Sequence, residues 1–270
     1  MVKLLTMSRT FSKLVLTAGV AAGFMFVSSS NANASSFTSI LSTDDTPNGD
    51  ALLDSIELKS GTVIDDIIYV EGVSDLVNDE HDGGDTGAAS ADKGTEATTG
   101  VAVEDPTEAE ILTNLSNNNL NNIVDTEDVG EFSMVIDFGE AIKSLMIWER
   151  GGNSKLGLQA LDDDGNAISG VKVVDSADWQ YSGFDILTTE IAKYKDVESQ
   201  GVYSSVAKVG NLFGTNAEVS KIRIFSEEAF NGPDWKVAGT SVAVPEPATV
   251  LGLTALAGAF VAVRRRQADA

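Results

Sequence analysis

Asp162, Asp164 and Asn166 set three oxygen-bearing side chains at alternate positions, as a calcium-binding EF-hand loop begins. Calcium takes hard oxygen ligands, so the residue types fit. The spacing then departs from that loop: its sixth position is Ala167, where the sharp turn requires glycine, and the distal glutamate is absent. Asp162-Asp163-Asp164-Gly165-Asn166 is also an Asp-Gly hairpin signal, and a plain turn is the competing reading. Asp79, Glu80, Asp82 and Asp85 form a second acidic cluster, for which a solvated loop competes with a cation site. Calcium is the only cofactor these patterns raise.

Trp148, Arg150, Asn153 and Trp235 form another set, of the kind that holds sugars: aromatic faces for stacking beside planar polar groups. Trp179, Tyr181 and Asp234 add to it. Aromatic residues on strands more often fill a core. If a strand runs through Trp148-Glu149-Arg150, Trp and Arg share one face and Glu takes the other.

Several chemistries are excluded. With no cysteine there are no disulfides, thiol nucleophiles, Cys-ligated zinc or iron–sulfur clusters. The only histidine, His81, lies in an acidic, Gly-rich stretch, so a Ser-His-Asp site or a multi-histidine zinc centre is not expected. Walker A and dinucleotide-binding fingerprints are missing. A glycosidase-type carboxylate pair is always available among 41 acidic residues, which makes that signal uninformative. The chain reads as a non-enzyme. Eighteen basic residues against 41 acidic ones give −23, the wrong sign for a nucleic-acid partner.

The elements that must position these residues read as strands. Candidates are Ser55 to Lys59, Thr62 to Ile64, Ile67 to Val70, Phe132 to Phe138, Ser144 to Trp148, Leu156 to Leu161, Gly170 to Val174, Lys221 to Phe225 and Trp235 to Gly239. Turn signals separate many of them, including Ser60-Gly61 and an Asn-rich turn at 117–122. Leu187 to Tyr194 is a candidate short helix. The fold class is all-β, mainly antiparallel, sandwich or jelly-roll-like. Residues 35–76 form an N-terminal β segment and 77–110, poor in bulky apolar residues, an acidic flexible loop or linker. Residues 111–243 form a β-rich surface domain, and 244–270 a terminal segment.

Both ends carry sorting patterns. Lys3, Arg9 and Lys13 precede an uncharged apolar run from Leu14 to Val27, too short for the ~20 residues of a membrane span. Ala32-Asn33-Ala34 then offers the small-x-small site of a signal peptidase, with cleavage before Ser35, so residues 1–34 read as a Sec signal peptide. Removing those three cations leaves 15 basic against 41 acidic residues, a formal −26. At the other end, Pro245-Glu246-Pro247 is stiff and extended, Val250 to Val263 is an apolar helix candidate, and Arg264-Arg265-Arg266 closes it. The basic cluster stays on the cytoplasmic side, leaving the acidic domain outside.

This tripartite tail resembles the PEP-CTERM sorting domain over about the last 26 residues. The resemblance implies an inner-membrane exosortase that recognises and cleaves near Pro-Glu-Pro, in diderm bacteria that make exopolysaccharide. The middle of the chain resembles an exosortase-dependent surface protein family with the same tail. That likeness rests on Asn117 to Asp125, Trp148 to Ser154, Leu158 to Asn166 and Phe230 to Asp234. This family is defined by sorting and location rather than by a reaction. The expectation is an exported, transiently anchored, then surface or matrix protein. Its partners would be the Sec machinery, signal peptidase, an exosortase-type membrane protease and exopolysaccharide. A secreted hydrolase with paired carboxylates and a calcium-stiffened coat protein are the alternatives.

Overall fold

A computed structural model describes residues 35–79, 88–193 and 199–244. Within them every strand pair is antiparallel, and the strands form three sheets. The all-β reading of the sequence therefore holds.

The central sheet explains its own sequence. Strand β8 (Ser144–Arg150) is buried at every position, as is β14 (Trp235–Thr240), so neither alternates apolar and polar residues. Both of its faces are covered. Leu145, Ile147, Trp235 and Val237 enter one core, while Met146, Trp148 and Ala238 enter another. This is the two-residue strand period feeding two layers at once. Around β8 and β14 lie β12 (Gln200–Lys208), β11 (Gln180–Ile186), β6 (Asn122–Thr126) and β5 (Ala89–Lys93), in the order β11-β12-β8-β14-β6-β5.

The first core is closed by a five-stranded sheet in the order β10-β9-β13-β7-β4. Its strands are β4 (Gly72–Asn78), β7 (Phe132–Ile142), β9 (Leu156–Leu161), β10 (Lys172–Val174) and β13 (Val219–Ser226). The second core is closed by a smaller sheet of β1 (Phe37–Asp44), β2 (Ala51–Leu58) and β3 (Val63–Ile64). The ring of Phe37 meets Trp148 edge-on, centroids 5.2 Å apart. The Ser60-Gly61 hairpin joins β2 to β3, with Gly61 at φ +80° and its N–H donating to Leu58 O (2.8 Å).

Three boundaries differ from the sequence reading. The 35–76 segment does not stand apart: β1 to β3 make the third layer, while β4 pairs with β7 across the molecule. Within 77–110, Ala89–Lys93 is a buried strand on the central sheet; residues 80–87, with His81, Glu80, Asp82 and Asp85, lie outside the described residues. Ala89-Ser-Ala-Asp-Lys is buried without bulky side chains because α1 (Glu108–Leu115) packs over it. Helix α1 starts at a Thr107–Glu110 capping box and buries Ile111, Asn114 and Leu115. The candidate helix at 187–194 is a bridge at Thr188 and a single 3-10 turn, Ile191–Lys193; Tyr194 is outside the described residues. A second short helix, α2 (Val209–Phe213), follows β12.

Candidate functional site

At the end of β8 the sheet register gathers charge. Trp235 pairs with Glu149 on one side and Val124 on the other, which brings Asp234, Arg150 and Asp125 together. Arg150 N–H donates to Asp234 O at 2.9 Å. Its guanidinium then fans out: Nη2 lies 2.9 Å from Asp125 Oδ2 and 2.8 Å from Asp234 Oδ2, Nε 3.1 Å from Asp234 Oδ2, and Nη1 2.7 Å from Thr188 Oγ1. Asp234 Oδ1 also accepts the Thr126 N–H at 2.9 Å.

Strand β5 adds Asp92. It pairs with Ile123, two residues from Asp125, so the carboxyls of Asp92 and Asp125 share a face of the sheet. Thr189 O–H donates to Asp92 Oδ1, and Glu190 N–H donates to Asp92 Oδ2 at 3.3 Å, which delivers the Glu190 carboxyl to the same place. One carboxylate oxygen from each of Asp92, Asp125 and Glu190 lies within 4.8 Å of the others. Asp92, Asp125, Glu190 and Asp234 against Arg150 give a formal charge of −3 in this cluster.

The protonation pattern follows from burial and that excess. Burial and then the Asp125 charge push Asp92 upward. Burial, then Asp125 and Asp92, push Glu190 up to about 8. Burial is the largest single effect on Asp125 and pushes it up, but the Arg150 charge together with hydrogen bonds from Asp234, Arg150 and Glu190 holds it below the ordinary range. Burial raises Asp234 well above the usual carboxylate range, with the adjacent Asp125 adding to it and Arg150 opposing. The guanidinium itself stays charged: burial works against it, and Asp234 and Asp125 outweigh burial. Such a group of carboxyls holds shared protons or a cation.

A cleft of about 290 Å³ opens onto this cluster, lined among others by Asp125, Thr126, Arg150, Asn153, Glu190 and Asp234. Gly232 is in its wall at φ +47°, and a Cβ there would stand 2.5 Å from Thr126 O, so the close approach of the 231–234 segment to β6 needs glycine. Ser154, buried, donates to Gly232 O at 3.3 Å.

No protein family, no curated protein and no solved structure matches this chain. The cleft must therefore be read from its own chemistry.

The structure divides the sugar-binding candidates. Arg150 and Asn153 line the cleft. Trp148 and Trp235 do not present a ring: they are 2% and 0% exposed. Trp148 Nε1 donates to Ser39 Oγ at 2.9 Å within the second core, and Trp235 stacks on Phe132 in the first, centroids 6.2 Å apart. Both are core residues, because β8 and β14 are covered on both faces. Trp179 is buried as well, donating to Ser154 O at 2.8 Å, whereas Tyr181 is half-exposed beside Tyr203.

The calcium candidates also separate. Asp162, Asp164 and Asn166 lie in a surface turn after β9, closed on itself by Asn166 N–H to Asp162 Oδ1 (2.8 Å) and Asp162 N–H to Asn166 O (2.9 Å). Hydrogen bonds from the Asn166 backbone N–H and side-chain amide to its carboxylate hold Asp162 below its ordinary pKa. Among the described residues, the carboxylates that converge as a group of three are Asp92, Asp125 and Glu190. Asp79, the described member of the second acidic cluster, is not among them.

Three stretches of the chain, 117–125, 148–154 and 230–234, reach this cleft. They supply Asp125, then Arg150, Asn153 and Ser154, then Asn231, Gly232 and Asp234. Asp92 and Thr188–Glu190 carried no local spacing that could have found them. They reach the site only through strand pairing and the bridge between Gly94 and Thr188.

Of the sorting residues, Ser35 is described: it bridges Val206, its N–H donating to Val206 O at 2.8 Å. Ala32, Ala34, Pro245, Glu246, Pro247, Arg264, Arg265 and Arg266 lie outside the described residues.

Proposed function

We propose that this chain is an exported, non-enzymatic surface or matrix protein. It is cut by signal peptidase after Sec export and by an exosortase-type protease near Pro245-Glu246-Pro247, and it binds exopolysaccharide. What supports this reading is the pair of terminal sequence patterns, a basic and apolar run ending at Ala32-Asn33-Ala34 and a tail of Pro-Glu-Pro, apolar run and Arg cluster. Ser35 is bridged to Val206, and Val244 N–H donates to Ser144 Oγ at 3.0 Å. Val206 pairs with Met146, and Ser144 pairs with Lys208 and Thr240, so Ser35 and Val244 attach to the same half of the central sheet.

The Arg150 cleft lies at the other end of β8, six residues on from Ser144, or about 20 Å at ~3.3 Å per residue. A domain tethered by its tail would hold its ends toward the membrane and this cleft away from it. The cleft is polar, lined by carboxylates, a guanidinium and Asn153, groups that hydrogen-bond hydroxyls. The half-exposed Tyr181 offers an aromatic surface elsewhere on the same sheet.

The test is retention on immobilised acidic and neutral polysaccharides, with the soluble phase assayed for released sugar. Retention without product is expected, and Arg150→Gln is expected to weaken it. Released oligosaccharide would replace this reading with that of a hydrolase using paired carboxylates. No retention on any polysaccharide would remove the ligand from the proposal.

A further inference from the structure

We infer that the exposed ring of Tyr181 is a stacking platform that extends the Arg150 cleft, the two together binding a chain of neutral pyranose sugars. This rests on the sugar-binding reading above and adds to it the ligand class and the residue that stacks. Among the described residues Tyr181 is the one aromatic side chain that is more than half exposed, at 53%. A lone exposed apolar residue needs no explanation; what sets this ring apart is how it is held.

Three neighbours fix it. Its O–H donates to Asp185 Oδ1 at 3.1 Å, and the Tyr203 ring meets it edge-on, centroids 5.9 Å apart and planes at 70°. Gly201, which pairs with Asp185, lies against it: a Cβ there would stand 3.3 Å from Cε2 of Tyr181, so a side chain at 201 would crowd the ring. A ring already fixed in the free protein loses little freedom on binding, as a preorganised platform requires.

The same neighbours tie the ring to the cleft. Tyr181 pairs with Tyr203, Tyr203 with Glu149, and Val202 with Arg150, so ring and cleft lie at one end of the central sheet. Gly151 N–H donates to Gly201 O at 3.0 Å. Gly152 sits against the Tyr203 ring, where a Cβ would be 2.7 Å from Cγ, and this contact places the turn that carries Asn153. Asn153 and Gln200, the residue before Gly201, both line the cleft. A volume of about 290 Å³ is at the small end of ligand cavities, so a sugar chain must continue outside it, and the Tyr181 ring is the aromatic surface beside it.

Charge selects the sugar. Four carboxylates and one guanidinium at the cleft carry a formal −3, and Asp185 adds a carboxylate beside the ring. Uronate and sulfate groups are repelled there. Neutral sugars offer hydroxyls to the carboxylates, Asn153 and Gln200, and a C–H face to the tyrosine.

The experiment uses the full chain, with hexasaccharides of glucose, mannose and galactose as neutral probes and hexagalacturonate as the acidic one. Each is titrated calorimetrically into the wild type, Tyr181→Ala and Tyr181→Phe, with urea melts as the check on folding. A neutral probe is expected to bind in preference to the acidic one. Tyr181→Ala should weaken that binding about ten-fold, the order of one aromatic contact, and Tyr181→Phe, which keeps the face, by no more than about two-fold. Independently of the variants, NMR of the bound probe should show its C–H protons shifted upfield by the ring; unshifted protons would overturn the inference. Wild-type affinity in Tyr181→Ala, with Arg150→Gln still weakened, would overturn it and leave the sugar-binding reading standing. Tighter binding of hexagalacturonate would overturn the ligand class. A wild type that binds no probe would remove this inference and the sugar ligand together.

Discussion

Lys236 shows how far local sequence and final environment can diverge at a single position. It sits in an apolar strand, fully buried, and its Nζ donates to the carbonyl of Asn114 in the last turn of α1 and to Asn117 Oδ1 at 3.4 Å. Helix α1 has no basic residue of its own in that turn, so β14 supplies the donor that the free carbonyls and the helix dipole favour. Burial wins over that favour and pushes the ammonium down to about 7 from 10.5. Between those two values the unfolded chain binds a proton that the folded chain does not, so this group makes stability rise as pH increases through that window. Below about 7 both states are protonated and its contribution is flat. Denaturant melts across the window should show that rise in the wild type and a reduced slope in Lys236→Met; parallel curves would mean the amine keeps its proton in the folded state. Arg150 and Asn153, singled out in the sequence as planar polar groups beside aromatic residues, do line the cleft. Asp92, Asp125 and Glu190 were not legible in the sequence, because they lie far apart in it and only the β5–β6 register and the Thr189 contact bring them together.

The elements carry the layers. The third sheet docks on the central one through Phe37, Leu53, Ile56 and Leu58 against Met146, Trp148, Val202 and Val206. Truncating the aromatic at the centre of that contact should cost what large core truncations cost: Trp148→Ala is expected to lose ~3–5 kcal/mol in urea unfolding. Unchanged stability with lost polysaccharide retention would instead restore Trp148 as a ligand platform. Strands β7, β8, β9, β13 and β14 were readable because they are long or rich in bulky apolar residues, and Leu156–Leu161 coincides with its expected bounds. The missed strands fail that criterion for physical reasons. Strand β5 is all small or polar, and β12 is diluted by Gly201, Ser204 and Ser205. Their burial comes from neighbours: Asn114 Nδ2 donates to Asp92 O at 2.9 Å and to Ile123 O at 3.0 Å, tying α1 to both β5 and β6. The 117–122 segment does turn, and it also does structural work. Asn119 Oδ1 accepts Ala51 N–H at 3.0 Å, while its Nδ2 donates to Asp50 Oδ1 at 2.7 Å, joining β2 to the start of β6.

At the scale of the whole molecule, Ser35 and Val244, which the proposed cuts would leave near the two ends, both attach to the central sheet. Signal-peptide removal would leave −26 on the chain, a charge that keeps a displayed domain solvated and draws divalent cations to it. With no cysteine, cohesion rests on two apolar cores that share the central sheet. Val244, bonded to Ser144, and the Arg150 cleft lie at opposite ends of β8, an arrangement that would suit the proposed display from a surface. The most direct test of that account is the intact mass of the protein recovered from each fraction of its native host. The account predicts a species in the surface or medium fraction that begins at Ser35 and ends near Pro245-Glu246-Pro247. A species confined to the membrane fraction that retains residues 250–270, or an uncut chain in the cytoplasm, would contradict it.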